Sequence, residues 1–346
     1  MTKKVLLGFS GGVDSSCAAL ILKNEGYEVH GLYFDVLAGG DVDARQRAEM
    51  TADAIGISLR TVNVSERFEG QVIRPFCKAY SEGKTPNPCI ICNPALKFAV
   101  LKENADMIDA EYIATGHYAN IQRLNNFYYV TKAVNLNKDQ SYMLCRLDQD
   151  ILMRLLLPLG TFESKDQIRE MARSFSLPNS ETKDSQDICF LPDDDYKSFL
   201  REKGIAAKSG NFVSEDGTVY GPHCGHYCYT IGQRKGLGIA LGKPAFVTGI
   251  LSNGDVLLGS NEDLFRKNVY IENMHYCGLE AVKGGRFTAK LRYTKNEAEC
   301  FLEPVADNCA ILMFRDAQRA PTPGQEAVLY KEGRIVACGT ISETGD

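Results

Sequence analysis

Residues 4–16 read KVLLGFSGGVDSS, and this stretch decides the fold. After Lys4 the run "VLLGF" carries no polar side chain, as expected of a short strand covered on both faces. Two glycines follow. From Ser15 the spacing becomes helical, with Cys17, Leu20, Ile21 and Asn24 along one face, and "NEGY" ends the helix. Gly11 and Gly12 let the backbone approach a ligand closely. Ser10, Ser15 and Ser16 add hydroxyls, and the start of the helix favours an anion. The loop is neither G-x-x-x-x-G-K-[ST] nor G-x-G-x-x-G. A Gly-Gly turn by itself is more often structural. The full S-G-G-x-D-S string directly after a strand is far more specific.

Outward from the loop, strands alternate with helices. "VHGLYFDV" (29–36) reads as a second strand. "DARQRAEMTADAIG" (43–56) reads as a helix with Ala44, Ala48, Ala52 and Ile55 inward. "LRTVNV" (59–64) and "EYIATGHY" (111–118) add strands, and residues 148–176 look helical, most clearly "FESKDQIREMARSF". Strands separated by helices imply an α/β fold with a doubly wound parallel sheet. Ligands on such sheets sit at the carboxyl ends of strands, here Ser10–Ser16, Phe34–Asp35 and Thr115–Tyr118. Past about residue 200 the texture changes to short β-rich runs ("AFVTGIL", "RFTAKLRY", "EAVLYKEGRIVACGTI") between glycine-rich turns. The expected organisation is an α/β domain over 1–198, a β-rich module over 199–266 and a second one, a β-barrel, over 267–346.

Composition narrows the class. Of 346 residues, 44% are hydrophobic and 24% charged, as in ordinary globular chains. No run reaches the length of a signal-peptide core or a membrane span, so the expected location is the cytoplasm. The net charge of −5 argues against a chain coated in positive charge but leaves room for a local nucleic-acid stripe. From Gly217 to Gly254 no acidic residue occurs, while Arg234, Lys235 and Lys243 do. Twelve cysteines spread over a chain of this length should be mostly reduced thiols. Cys17, Cys77, Cys145, Cys277, Cys300, Cys309 and Cys338 have no suggestive neighbours and read as small buried hydrophobes.

Two cysteine groups stand apart. "TPNPCIICN" (85–93) holds a C-x-x-C pair, Cys89 and Cys92, suited in principle to zinc, disulfide exchange, an iron–sulfur cluster or a catalytic sulfur. "HCGHYC" (223–228) offers His223, Cys224, His226 and Cys228, all metal-ligand types, though at a spacing tighter than a usual zinc finger.

The loop "SGGVDSS" resembles the pyrophosphate (PP) loop of ATP pyrophosphatases, which adenylate a substrate. Together with "TPNPCIICN", "ATGHYA" (114–119), "KDQSYML" (138–144), "DSQDICF" (184–190), "YTIGQRKGLGI" (229–239), "RY" (292–293) and "PGQ" (323–325), it resembles the tRNA-specific 2-thiouridylases over nearly the whole chain. That resemblance implies ATP-dependent exchange of uracil O2 for sulfur at the wobble uridine. Adenylation turns a poor leaving group into AMP, and a sulfur nucleophile then attacks C2. The resemblance makes Cys189 the persulfide carrier and Cys92 the thiol that resolves it, leaving a Cys92–Cys189 disulfide. It implies ATP with Mg2+ at Gly8, Phe9, Ser10, Gly11, Gly12, Val13, Asp14, Ser15, Phe34 and Gly116. It puts tRNA at His117, Lys138, Asp139, Gln140, Arg292, Tyr293 and Gln325, and the target base at Asn87, Pro88 and Cys89. Arg234 and Lys235 are candidates for backbone phosphates, weighed evenly against a solvated turn. A sulfur donor protein is the expected second partner.

One position departs from the family pattern: many members carry Asp where this chain has Cys89. A thiol replaces a carboxylate badly in acid–base work. Cys89, Cys92 and Cys189 together form a set that related thiolation enzymes use for a [4Fe–4S] cluster, so persulfide chemistry and a cluster both stay open. Two other functions compete, a thiolase for another tRNA uridine or small molecule, and a non-catalytic tRNA-binding paralogue.

Overall fold

The structure is a computed structural model and describes residues 2–180, 188–191, 193, 195–293, 296–306 and 308–345. Residues 184–187, the first part of "DSQDICF", lie outside that set. Two compact units organise the chain. One comprises residues up to Val72, Cys89–Phe190 and Glu332–Ile335; the other comprises Ile73–Pro88, Leu191–Lys331 and the chain from Val336 on.

The first unit is built on a parallel sheet. Its strands are β1 (Lys4–Gly8), β2 (Glu28–Asp35), β3 (Ser58–Asn63) and β4 (Tyr112–Ala114). A hairpin of β5 (Ala119–Leu124) and β6 (Phe127–Lys132) follows before β7 (Leu155–Leu156). The strand order is β3-β2-β1-β4-β7, with every pairing parallel. Val5, Leu6 and Leu7 are buried because helices cover the faces of this central strand, and each contributes about 1.5–3 kcal/mol of burial. Helix α1 (Val13–Asn24) presents Cys17, Ala18, Leu20 and Leu22 to the core, whereas Asn24 of the expected face is exposed. Helix α2 (Val42–Ile55) buries Ala48, Ala52 and Ile55 as its spacing predicts. The order reverses at β1, so the crevice between the ends of β1 and β4 is the switch point where such sheets take ligands.

Two expectations need correction. Residues 148–176 are not continuously helical: short helix Gln149–Leu152 gives way to β7, and the amphipathic helix covers Lys165–Ser174. Pro158 forbids helix through "RLLLPLG", and pairing with β4 takes Leu155 and Leu156 instead. The strand expected over 111–118 stops at Ala114, because Thr115 and Gly116 turn into the crevice.

In the second unit, β8 (Asn211–Val213), β9 (Val219–Pro222), β10 (Phe246–Ile250) and β11 (Val256–Gly259) form a four-stranded sheet ordered β10-β11-β8-β9. A β-barrel follows, of β12 (Phe265–Tyr276), β13 (Gly285–Lys290), β14 (Ala298–Ala306), β15 (Cys309–Arg319), β16 (Glu326–Lys331) and β17 (Arg334–Gly345). Its order is β12-β15-β14-β13-β16-β17, and β12 pairing with β17 closes it. Closure removes the free edges that an open sheet would expose.

Candidate active site

The loop after β1 is shaped for close approach. Gly11 has φ +73°, and a Cβ there would lie 2.6 Å from Cα of Ala48. At Gly116 a Cβ would come within 3.0 Å of the Asp14 carbonyl carbon and the Ser15 nitrogen, so the β4 turn packs directly on the first turn of α1. A Cβ at Gly8 would sit 3.4 Å from the Phe34 ring and 3.5 Å from Thr115. Gly8, Gly11, Gly12, Phe34 and Gly116 therefore meet at one crevice, and Phe9 and Val13 are buried behind it. Ser15 and Ser16 donate to the Gly12 carbonyl at 3.0 and 2.9 Å, and Ser10 Oγ accepts from the Gly12 amide at 3.3 Å. Helix α1 has no side-chain cap, which leaves its first amides to a ligand.

Two residues of this crevice carry no sequence motif. Asn179 donates to the Gly11 carbonyl at 2.6 Å and to Ser16 Oγ at 2.9 Å, fixing the loop from behind. Lys165 Nζ lies 2.5 and 2.6 Å from the carboxylate oxygens of Asp14, and Tyr118 donates to the same carboxylate at 2.7 Å. The ammonium also lies 5.5 Å from the Tyr118 ring centre. Lys165 opens a helix whose Ser164 and Gln167 form a capping box, so its backbone position is firmly set. Only the capping pattern in "ESKDQI" hinted at the anchoring, and nothing hinted at the Asp14 contact.

The thiols form the second part. Cys89 and Cys92 bracket the short helix Pro88–Cys92. Burial pushes the Cys92 thiol up to about 11, Lys97 pulls it down, and Cys189 and Cys89 push it up as neighbouring thiols. Cys189 has an exposed surface, yet desolvation by the surrounding protein raises its pKa too, again opposed by Lys97. The structure thus brings Cys89, Cys92 and Cys189 into one electrostatic neighbourhood with Lys97 as its cation. Among the described residues, these three sulfurs are not gathered within the 4.8 Å that one shared ion would need. That spacing argues against a mononuclear zinc; a cluster holds its thiolates further apart.

His117 stands beside this group. Its Nδ1 is 2.8 Å from Thr115 Oγ1, and its ring stacks on Phe98 at 6.0 Å. Burial, then Lys97, lowers its pKa to about 3, which keeps it neutral. Gln140 accepts from the Tyr118 amide at 2.9 Å. Asp139 is buried and accepts from the Ala133 amide, the Ser141 amide and Ser141 Oγ. It shapes the turn that carries Lys138 and Gln140.

Within the second unit, motifs far apart in sequence converge. Thr85 donates its amide to Pro323 O, and Gln325 donates to Thr85 O at 2.8 Å. Arg292 donates to Ile231 O at 2.9 Å and to Thr322 Oγ1. Asn87 and Pro88 continue from Thr85, and Tyr293 follows Arg292. Arg234, Lys235 and Lys243 are exposed on a loop that curls around a hollow of about 700 Å³. The zinc reading of "HCGHYC" does not hold. His223 uses Nε2 on Gly254 O and Nδ1 on the Gly225 amide; His226 uses Nδ1 on the Lys208 amide and Nε2 on Ser81 O. Both imidazoles are consumed by the backbone.

A parallel sheet of this order, with S-G-G-x-D-S at its switch point, defines a PP-loop nucleotide-binding domain. Comparison with known families agrees: a profile described as "tRNA methyl transferase HUP domain" matches residues 3–193. A "PRC-barrel domain" profile of the same series matches 197–260, and an "Aminomethyltransferase beta-barrel domain" matches 266–341. The chain is 39% identical to the tRNA-specific 2-thiouridylase MnmA of Clostridium kluyveri, over 99% of both chains. It is 41% identical to the MnmA of Clostridium botulinum strain Alaska E43, over 99% of this chain and 98% of that one. The chain belongs to the tRNA-specific 2-thiouridylase family. A solved 4-thiouridine synthetase–RNA complex with bound ATP shares 18% identity at a TM-score of 0.38, over 55% of this chain and 45% of that one, too distant to carry an argument. No helix among the described residues is long and apolar enough to cross a membrane.

Proposed function

We propose that this enzyme uses ATP and Mg2+ to adenylate O2 of the wobble uridine of tRNA and replaces that oxygen with sulfur from a Cys189 persulfide. The observation that carries the reading is the gathering of Cys92, Cys189 and Lys97 in the same unit as the Asp14 loop. ATP would lie along Gly8–Ser15 with Phe34 and Gly116; Asp14 would hold Mg2+, which would neutralise phosphate charge, and Lys165 beside Asp14 would add a second cation there. The terminal sulfur of the persulfide attacks C2 and AMP leaves with the oxygen. The Cys92 thiolate then attacks Cys189 Sγ in the C2–S–S–Cys189 bridge. The product keeps C2=S, and the enzyme is left with a Cys92–Cys189 disulfide that an external dithiol reduces. Lys97 lowers the cost of each sulfur anion. Neutral His117, with Lys138, Asp139, Gln140, Arg292, Tyr293 and Gln325, holds the tRNA, and Asn87, Pro88 and Cys89 meet the base. The modules are 1–198, 199–266 and 267–346, a division supported by the limits of the three profiles. We place the enzyme in the cytoplasm, with a sulfur donor protein as partner.

The three thiols also support a second reading. Cys89, Cys92 and Cys189 are a suitable donor set for a [4Fe–4S] cluster, which when bound would supply an open iron for sulfide. Anaerobic purification with iron and sulfide quantified, followed by thiolation of tRNA with ATP and a persulfide donor, separates the two. Full activity without iron supports the relay. A Cys189→Ser variant that thiolates normally overturns it, and one that binds tRNA but no longer thiolates excludes a mere binder.

A further inference from the structure

With its histidines committed to the backbone, "HCGHYC" keeps two thiols. Gly225 between them has φ +131°, and a Cβ there would meet Ala207 Cβ at 2.6 Å. This glycine turn, followed by the single 3-10 turn His226–Cys228, folds the chain back so that the Cys224 and Cys228 thiols bear on each other's ionisation. The backbone bonds of His223 and His226 lock the turn from both sides. Cys224 is exposed and Cys228 buried, so one sulfur meets solvent and the other waits behind it.

Tyr229 completes the group. Its Oη lies 3.3 Å from Cys224 Sγ, and its ring is wedged edge-on against Phe212 at 5.0 Å and His223 at 5.4 Å. A clamped phenol donates to a thiolate better than to a thiol, so it favours the ionised sulfur. The shifts agree: Cys224 is lowered, first by Tyr229, while Tyr229 itself is raised. Burial raises Cys228 to about 11. The charged groups that bear on the pair are Lys197, which favours both thiolates, and Arg201, which acts on Cys228.

We propose that Cys224 and Cys228 form an oxidisable dithiol site, in which Cys224 takes oxygen from a hydroperoxide and Cys228 closes the disulfide. The Cys224 thiolate attacks the peroxide O–O bond, giving a sulfenic acid and, with one proton, the alcohol or water. The Cys228 thiol then attacks the sulfenic sulfur and water leaves. Two thiols and one hydroperoxide become one disulfide, one alcohol and one water. Neither step uses the Cys92–Cys189 chemistry.

Trypsin makes the test clean, because cleavage after Lys208 and Arg234 releases a peptide, 209–234, whose only cysteines are Cys224 and Cys228. The full-length protein is treated with stoichiometric hydrogen peroxide at pH 7.5, alkylated with iodoacetamide and mapped. The expected peptide is lighter by two hydrogens and takes no iodoacetamide until reduced. Before oxidation, Cys224 should alkylate at least ~10-fold faster than Cys228, because it is exposed and held toward its thiolate by Tyr229 while Cys228 is buried. Cys228→Ser should trap a dimedone adduct on Cys224; if that variant does not fold, brief peroxide pulses with dimedone on the unaltered protein give the same reading. The proposal is overturned if peptide 209–234 remains doubly alkylatable at a dose that oxidises Cys92, if Cys224 pairs with a cysteine outside it, or if Cys224→Ser still oxidises Cys228. Because Cys92 and Cys189 fall in other peptides, failure of the thiolation mechanism is scored separately.

Discussion

The molecule holds two cysteine sites of opposite design. At Cys92 and Cys189 both thiols are pushed up by desolvation and one lysine opposes the shift. At Cys224 and Cys228 one thiol is lowered by a tyrosine in the open and the other is raised in the interior. The first design disfavours both thiolates by burial; the second favours one thiolate over its neighbour. A C-x-x-C or C-x-x-x-C spacing does not choose between them. The groups packed against each sulfur do.

The sharpest break of that comparison comes from serine. Cys92→Ser and Cys189→Ser should each lower thiolation at least ~1000-fold in a tRNA, ATP and persulfide assay, with pyrophosphate release on tRNA kept. Cys224→Ser should leave the rate within twofold; an equal loss there would merge the two sites into one. Next in size is the nucleotide crevice. Lys165→Met should cut kcat for pyrophosphate release about 100-fold while thiol reactivity stays unchanged, because its ammonium acts on charge at the phosphates. A kcat left intact would make the Asp14–Lys165 pair purely structural.

Lys97→Met tests the electrostatics of the first site. Removing the cation should raise the Cys92 pKa above about 11, moving its alkylation profile to higher pH and slowing thiolation about tenfold. No movement of that profile would remove Lys97 from the mechanism. His117 gives a pH signature of folding. Its folded pKa of about 3 lies below the ordinary 6.5, so the native state binds fewer protons. The stability it contributes is whole above 6.5 and falls as pH drops toward 3. His117→Gln should flatten that part of the denaturation midpoint against pH. The smallest effect is expected from Ser164→Ala, which removes the capping box at Lys165 and should cost about 1 kcal/mol in urea unfolding.

Much of the first unit was legible in sequence because its signals are local. A buried strand, a Gly-Gly loop and a helical stripe occur within a few turns of chain, and each follows from side-chain period and glycine freedom. The failures are equally local. "RLLLPLG" satisfied a helical pattern until β4 offered Leu155 and Leu156 a partner, and Asn24 lay at the right spacing but past the covering layer. At "HCGHYC" the tight spacing already disfavoured a metal, and the structure adds a reason that residue type could not show: the backbone takes both nitrogens of His223 and of His226.

By itself the sequence determined the parallel sheet, the phosphate loop and the change to β structure, since each rests on short-range pattern or motif. Only the tertiary structure decided that Lys165 lies on Asp14, that Lys97 acts on both Cys92 and Cys189, that Gln325 reaches Thr85 and Arg292 reaches Ile231, and that Tyr229 sets Cys224 apart from Cys228. Those pairings join residues by distance and desolvation, quantities that exist only once the chain has packed.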